Sequence, residues 1–163
     1  MIKNKPIILG LGNPLFRDEG LGIHLIHQLM QEGFHMQAEL IDGGTDALSL
    51  LGIVENTDYL LVVDAIDNNL PAGTILQISG EEIPLFTTEK MSAHQIGFQD
   101  VLALASLRKN LPAHFILIGV QPESLDWGTD LTPPVAKTFP FLKNMIREHI
   151  NSWNFHSATY SLP

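Results

Sequence analysis

The feature that most constrains the fold is a repeated switch between short apolar runs and amphipathic segments. Continuous apolar or aromatic side chains fill residues 7–9 and 59–63, each bounded by Pro, Gly or Asp, as expected of buried strands. From Gly20 to about Gly33 the apolar residues share one helical face, which predicts a helix. The order along the chain is roughly β-α-β-α-β-β-α-β-α. Strands that alternate with helices in this way favour a mostly parallel, doubly wound sheet with helices on both faces.

Length and hydrophobicity predict one α/β domain. The chain has 163 residues, of which 45% are hydrophobic, enough to bury a sizeable core. We predict a single three-layer α/β/α domain over residues 1–153 and a flexible tail over residues 154–163. Pro140 is expected to kink or split the last helix, whose apolar face includes Val135 and Trp153.

Composition excludes several kinds of partner and chemistry. Nine Lys and Arg stand against eighteen Asp and Glu, a net charge of −9, which argues against nucleic acid and anionic membrane surfaces as partners. The chain has no cysteine, which excludes disulfides, thiolate metal sites and cysteine nucleophiles. It shows neither a signal peptide nor a run of transmembrane length. We therefore expect a cytoplasmic protein.

The stretch ILGLGNPLFRDEGLG, residues 8–22, is compatible with two kinds of loop, one that cradles phosphate and one that presents a carboxylate. A dinucleotide fingerprint requires a third small residue at the sixth position, which here is Leu15. Pro14 also keeps the residue before it out of helical geometry. The helix can then begin only after a loop that carries Asp18 and Glu19. We predict that the stretch binds no nucleotide cofactor and presents a carboxylate.

Acidic residues follow each of the first three predicted strands. Asp18 and Glu19 come after the first strand, Asp42 after the second, and Asp64 and Asp67 after the third. Ligands of open parallel sheets bind beyond the carboxyl ends of the strands, so these groups are expected at one edge. Asp64 ends an apolar run, where an unpaired charge would be costly. Asp42 precedes two glycines and is equally compatible with ordinary turn chemistry.

An imidazole is predicted at the same edge. The residues Ser92-Ala93-His94-Gln95 match a capping box, which places His94 in the first turn of a helix. A helix N-terminus disfavours imidazolium and so favours the neutral ring that binds metals. The alternative is an exposed polar residue without a ligand. Together with two carboxylates, His94 forms an oxygen and nitrogen donor set suited to nickel or zinc, with positions left for water or substrate.

Other candidates are less specific. His24 and His27 stand three apart on the polar face of a helix and could bind a metal, although such residues are more often solvated. Trp127 lies in an acidic loop and could either contact a partner or pack under the loop. The chain has neither the H-E-x-x-H helix of zinc proteases nor the G-x-S-x-G elbow of serine hydrolases.

Five blocks resemble, in order and spacing, the hydrogenase maturation proteases: GLGNPLFRDEGLG, IDGGTDALSLL, LLVVDAID, MSAHQIGFQDVL and IGVQPESLDWGTDLTPPV. The resemblance covers about residues 7–150. It implies an endopeptidase that removes the C-terminal extension from the large-subunit precursor of a nickel–iron hydrogenase. Carried over to this chain, the nickel-recognising residues of the family fall on Glu19, Asp64 and His94. The acidic position of the family's DGGT block falls on Asp42.

The resemblance also implies where the metal comes from. The precursor holds nickel near its C-terminal cysteine motif, and cleavage occurs just beyond the last His or Arg of that motif. Nickel would then be supplied by the substrate, and other divalent metals can occupy the site. We interpret Asp42 as the catalytic general base or its support, and we expect a monomer.

Two alternatives stay open. The block GLGNP also opens peptidyl-tRNA hydrolases, but these continue with a Thr-Arg-His-Asn stretch that supplies a catalytic histidine. Here the corresponding residues 17–20 are Arg-Asp-Glu-Gly, and a net charge of −9 does not suit a tRNA partner. The second alternative is a non-catalytic assembly factor that binds the nickel-loaded precursor without cutting it. The same residues would serve both functions.

Overall fold

A computed structural model of the protein describes residues 5–82 and 93–159, with side chains over 5–82 and 97–154. The strands are β1 (Ile7–Gly10), β2 (Glu39–Asp42), β3 (Tyr59–Ala65), β4 (Ile75–Ser79) and β5 (His114–Val120). The α-helices are α1 (Leu21–Gln31), α2 (Leu51–Glu55), α3 (Ala93–Leu107), α4 (Pro133–Ala136) and α5 (Phe139–Thr159). None of the helices in these ranges combines the length and apolarity needed to cross a membrane.

The five strands form one sheet in the order β2-β1-β3-β5-β4. The first four of these are parallel, and β4 joins β5 as an antiparallel edge strand. Gly10 pairs with Asp42 on one side and with Val63 on the other. The predicted mostly parallel, doubly wound sheet is therefore confirmed.

Two hydrophobic clusters cover the two faces of the sheet. Helices α1 and α5 pack on the face that carries Ile8, Leu61 and Val63. Helices α2 and α3 pack on the opposite face, which carries Leu60 and Val62. Each fully buried Leu or Ile stabilises the fold by about 1.5–3 kcal/mol. Because side chains alternate along a strand, Asp64 points to the face that α3 covers.

The glycines of the opening stretch allow α1 to pack closely on the sheet. A Cβ atom added to Gly10 would lie 2.3 Å from the carbonyl oxygen of Gly22, and one added to Gly22 would lie 2.5 Å from that of Val63. Helix α1 begins at Leu21, after a 3₁₀ turn over Arg17–Gly20. The glycines thus bring helix and strands together, and the helix starts about where the sequence predicts.

The last helical segment is split, as the sequence predicts. Helix α4 ends at Ala136, and α5 begins at Phe139. Pro140 falls in the first turn of α5, where its missing N–H costs no helical hydrogen bond. Helix α5 continues to Thr159, so its backbone is regular well into the segment for which we predicted a flexible tail. The mobility of residues 154–163 stays a prediction.

Candidate active site

Asp64 lies at the carboxyl end of β3 with its side chain fully buried. Its Oδ1 atom accepts a hydrogen bond of 2.8 Å from the backbone N–H of Ala65. The four residues before it, Leu60 to Val63, are all buried in the core. The apolar run that the sequence shows therefore delivers a buried carboxylate to the edge of the sheet.

Glu19 reaches the same point through the 3₁₀ turn Arg17–Gly20. Gly12 has φ +123°, a backbone conformation that side-chain-bearing residues rarely adopt. A Cβ atom added there would lie 1.8 Å from the carbonyl oxygen of Glu19 and 3.8 Å from Oδ1 of Asp64. The absence of a side chain at Gly12 thus allows the turn that carries Glu19 to press against the end of β3.

The backbone of His94 is the second residue of α3, and its side chain lies outside the described part of the chain. After α3 ends at Leu107, the chain reaches the start of β5 at His114, which pairs with Tyr59 at the start of β3. The C-terminal end of α3 is therefore near the amino edge of the sheet.

The direction of α3 places its first turn at the opposite edge. Its 15 residues span about 22 Å, and the seven residues of β3 span a similar length. The first turn of α3, with His94, consequently lies towards the carboxyl edge and on the face to which Asp64 points. Within the described side chains, which do not include that of His94, no group of three His, Asp or Glu residues could hold a metal ion.

Asp42 is found in a turn at the end of β2. Its Oδ1 accepts a hydrogen bond of 3.1 Å from Gly44 N–H, and its Oδ2 lies 3.4 Å from Nε2 of His27. Strand β1 separates β2 from β3, so the backbones of Asp42 and Asp64 are about 10 Å apart across the sheet. The turn role is visible in these contacts, and the catalytic role stays a prediction. Of the two histidines on α1, His27 is exposed and His24 is half-buried.

Asp18 is fully buried, as Asp64 is, and both of its carboxylate oxygens accept hydrogen bonds from the loop that follows β5. Its Oδ2 accepts hydrogen bonds from the N–H groups of Glu123 and Ser124 and from Oγ1 of Thr132, and its Oδ1 accepts one from Thr132 N–H, at 2.7–3.1 Å. Asp18 fastens the loop after β5 to the loop after β1. Asp18 therefore has a structural role, and the role of the adjacent Glu19 as a metal-recognising residue stays a prediction.

Asp67 and its partner Gln121 hold the loop after β3. The Nε2 group of Gln121 donates to Oδ1 of Asp67 at 3.0 Å, and its Oε1 accepts from the N–H groups of Asn68 and Leu70. Gln121 is buried, and sequence reasoning missed it. No local pattern marks it, because the residues it holds lie more than 50 positions away in the chain.

Trp127 is the most exposed aromatic residue whose side chain is described, at 74%. Its ring lies 4.5 Å from that of Phe16, centroid to centroid, with the two planes tilted by 37°. The sequence left open whether Trp127 packs under its loop or is exposed, and the structure shows that most of the indole is exposed. The ring rests on Phe16 and presents its remaining surface to solvent.

The fold and the site define an α/β protein with carboxylates at the carboxyl edge of a parallel sheet, beside the first turn of a helix that begins with an Ala-His-Gln segment. A family model described as hydrogenase maturation protease matches residues 23–149. The chain therefore belongs to the hydrogenase maturation protease family and is an endopeptidase of that family.

Individual relatives agree with this assignment. The hydrogenase expression/formation protein HupD of Bradyrhizobium diazoefficiens is 43% identical over 98% of this chain and 85% of its own length. The hydrogenase 2 maturation protease of Escherichia coli K12 is 39% identical, over 86% of this chain and 87% of its own. The solved hydrogenase maturating endopeptidase HybD from E. coli superposes with a TM-score of 0.79 at 34% identity, covering 91% of this chain and 93% of that one.

Proposed function

We propose that the protein removes the C-terminal extension from the large-subunit precursor of a nickel–iron hydrogenase and recognises the nickel that this precursor carries. Membership of the family supports the reaction. The observation that carries the metal assignment is the close approach at Gly12, which brings the backbone of Glu19 and the carboxylate of Asp64 to one point. The direction of α3 supports the addition of His94 to this pair.

Two carboxylates and one imidazole leave the coordination of a divalent ion incomplete. Ligands from the precursor would complete it, which gives a physical reason for a protease that acts only on metal-loaded substrate. A cation at this position also offsets the cost of keeping the Asp64 carboxylate ionised in a buried setting. On this account the protein needs no tightly bound metal of its own.

Hydrolysis requires a polarised carbonyl and an activated water. Nickel held between substrate and protein supplies Lewis acidity for these tasks. A carboxylate that accepts the proton of the water adds about 10²–10⁴-fold. We assign this role, or a supporting one, to Asp42. Its exposed side chain lies at the end of β2, the strand next to β1, at the same edge of the sheet.

We also propose a cellular location and an oligomeric state. A chain without cysteine suits the reducing cytoplasm, where the family's precursor would be processed. We expect the protein to act as a monomer on one precursor molecule.

The proposal is tested by incubating the purified protein with nickel-loaded and nickel-free precursor. We expect a decrease in the size of the precursor only when it carries nickel. A stable complex with the nickel-loaded precursor and no cleavage would instead support the non-catalytic assembly factor. Equal cleavage of both forms would contradict recognition through the metal.

The same assay with Asp42→Asn tests the base. The amide keeps an oxygen that can accept from Gly44 N–H but cannot take up a proton from water, so kcat should fall by about 10²-fold or more. An unchanged kcat would show that Asp42 is not the general base and only stabilises the turn after β2.

A further inference from the structure

The loops after β1 and β5 are joined into one surface beside the site. The N–H of Arg17 donates to the carbonyl of Gly128 at 2.8 Å, and the N–H of Gly128 donates to that of Leu15 at 2.9 Å. A parallel bridge between Phe16 and Gly128 completes the junction. The side chains of Leu15, Phe16 and Trp127 form what we call the Trp127 surface, with Leu15 51% and Trp127 74% exposed.

The Trp127 surface is held in place from beneath. Asp18 binds the loop on one side of Trp127 through Glu123 and Ser124 and on the other side through Thr132. Arg17 has φ +45°, in the left-handed region that is costly for a residue with a side chain, and such strain concentrates at functional sites. Trp127 is therefore exposed on a loop that hydrogen bonds hold in place on both sides.

The chemistry of this surface fits a polypeptide partner. Tryptophan is enriched among the residues that contribute most to binding at protein interfaces, since its rigid ring buries a large area at little cost in side-chain entropy. The carboxylates of Glu123, Asp126 and Asp130 lie exposed in the same loop, and they outnumber the exposed guanidinium of Arg17, which lies against Gly128. An apolar centre beside acidic groups complements a segment that places apolar side chains next to Lys or Arg.

The position of the surface indicates which polypeptide it meets. Phe16 is followed at once by the 3₁₀ turn that carries Glu19, and the backbone of Glu19 adjoins Asp64 through Gly12. A chain that brings its metal to these carboxylates must lie against the adjoining loops. We propose that the Trp127 surface binds an apolar segment of the precursor, flanked by basic residues, next to the bond that is cut. This inference rests on the proposed function.

Steady-state kinetics on nickel-loaded precursor tests the surface through Trp127→Ala. Loss of the indole ring should raise KM about tenfold or more and leave kcat within about twofold, because the ring contributes to substrate binding and not to the chemical step. Leu107→Ala is the matched control, since Leu107 is 82% exposed at the C-terminal end of α3, towards the other edge of the sheet. Leu15→Ser should raise KM in the same direction. An unchanged KM for Trp127→Ala, or an equal rise for Leu107→Ala, would overturn the proposal.

A second measurement keeps this inference separate from the proposed function. The protein has two tryptophans, Trp127 and the buried Trp153, and 5-fluorotryptophan labelling gives each a fluorine resonance, assigned with Trp153→Phe. Addition of unlabelled nickel-loaded precursor should shift the Trp127 resonance and leave that of Trp153 in place. If the wild-type protein failed to cleave the precursor, only the proposed protease function would be contradicted. If the Trp127 resonance did not shift at saturating precursor, binding of the precursor to the Trp127 surface would be contradicted.

Discussion

At the scale of single residues, Gly12 allows the backbone of Glu19 to approach the carboxylate of Asp64. Its positive φ turns the chain after β1, and the space of its missing side chain is filled by the carbonyl of Glu19. Any Cβ atom there would collide with backbone, which cannot rotate away as a flexible side chain can. Gly52 offers a contrast, because a Cβ atom added to it in α2 meets nothing within 4 Å.

We predict that Gly12→Ala destabilises the protein by at least about 2 kcal/mol, since it combines a clash with a disfavoured φ, and that it abolishes processing. Gly52→Ala, the matched control, should change stability by about 0.4–1 kcal/mol in the stabilising direction and leave processing intact. Urea unfolding and the processing assay measure both. If Gly12→Ala matched Gly52→Ala in both respects, the role assigned to Gly12 would be wrong.

The neighbouring acids Asp18 and Glu19 show what a residue's local sequence can and cannot reveal. Both follow the first strand, so the pattern predicts both at the carboxyl edge. Their separate roles depend on Thr132, which lies 114 positions after Asp18 and donates two hydrogen bonds to it. The importance of Asp64 can be predicted from the local sequence alone. A carboxylate directly after a buried apolar run is costly to bury, and this cost indicates a specific role.

At the scale of elements, helix α5 is joined to the edge strand β4 by a polar contact. A ring nitrogen of His149, Nε2, lies 2.9 Å from Oε1 of Gln77. Burial lowers the pKa of His149 below its usual 6.5, and the carboxylate of Glu148 opposes that shift. The protonated ring is therefore disfavoured in the folded protein relative to the unfolded chain.

This shift predicts a pH-dependent stability. As the pH falls below about 6.5, the unfolded chain protonates at His149 before the folded protein does, so the free energy of unfolding falls until the lowered pKa is passed. His149→Gln should reduce this decline between pH 7.5 and 5, measured by urea unfolding. His35→Gln, at an exposed histidine of a 3₁₀ turn, should leave it in place. An identical decline in the wild type and His149→Gln would contradict the prediction.

The sequence predicted the elements more reliably than their arrangement. Period and capping place α1 and α3 within one or two residues of their observed starts. The antiparallel direction of β4 leaves no such trace, because a short half-buried strand has the same pattern in either direction. The position of the break between α4 and α5 is likewise set by packing, since Val135 and Phe139 are both buried in the same cluster.

At the scale of the whole molecule, the strand order explains why the site lies where it does. Strand β1 lies between β2 and β3: the connection after β1 leads to β2 on one side, and the connection after β2 crosses back past β1 to β3 on the other. Ligands of open α/β sheets bind at such a switch point, beyond the carboxyl ends of the strands. Glu19 follows β1 and Asp64 ends β3, the two strands that border this crevice. The backbone of Glu19 and the carboxylate of Asp64, 45 positions apart in the chain, are thereby brought to the same edge of the sheet.

We propose that Glu19, Asp64 and His94 gather around one divalent ion during processing. The most direct test is the rate at which Glu19→Gln, Asp64→Asn and His94→Ala variants process nickel-loaded precursor, with His35→Ala as the control. Each of the three should fold, as judged by circular dichroism, and lose at least about 100-fold in rate, while the control keeps the wild-type rate. Full processing by His94→Ala would contradict the account.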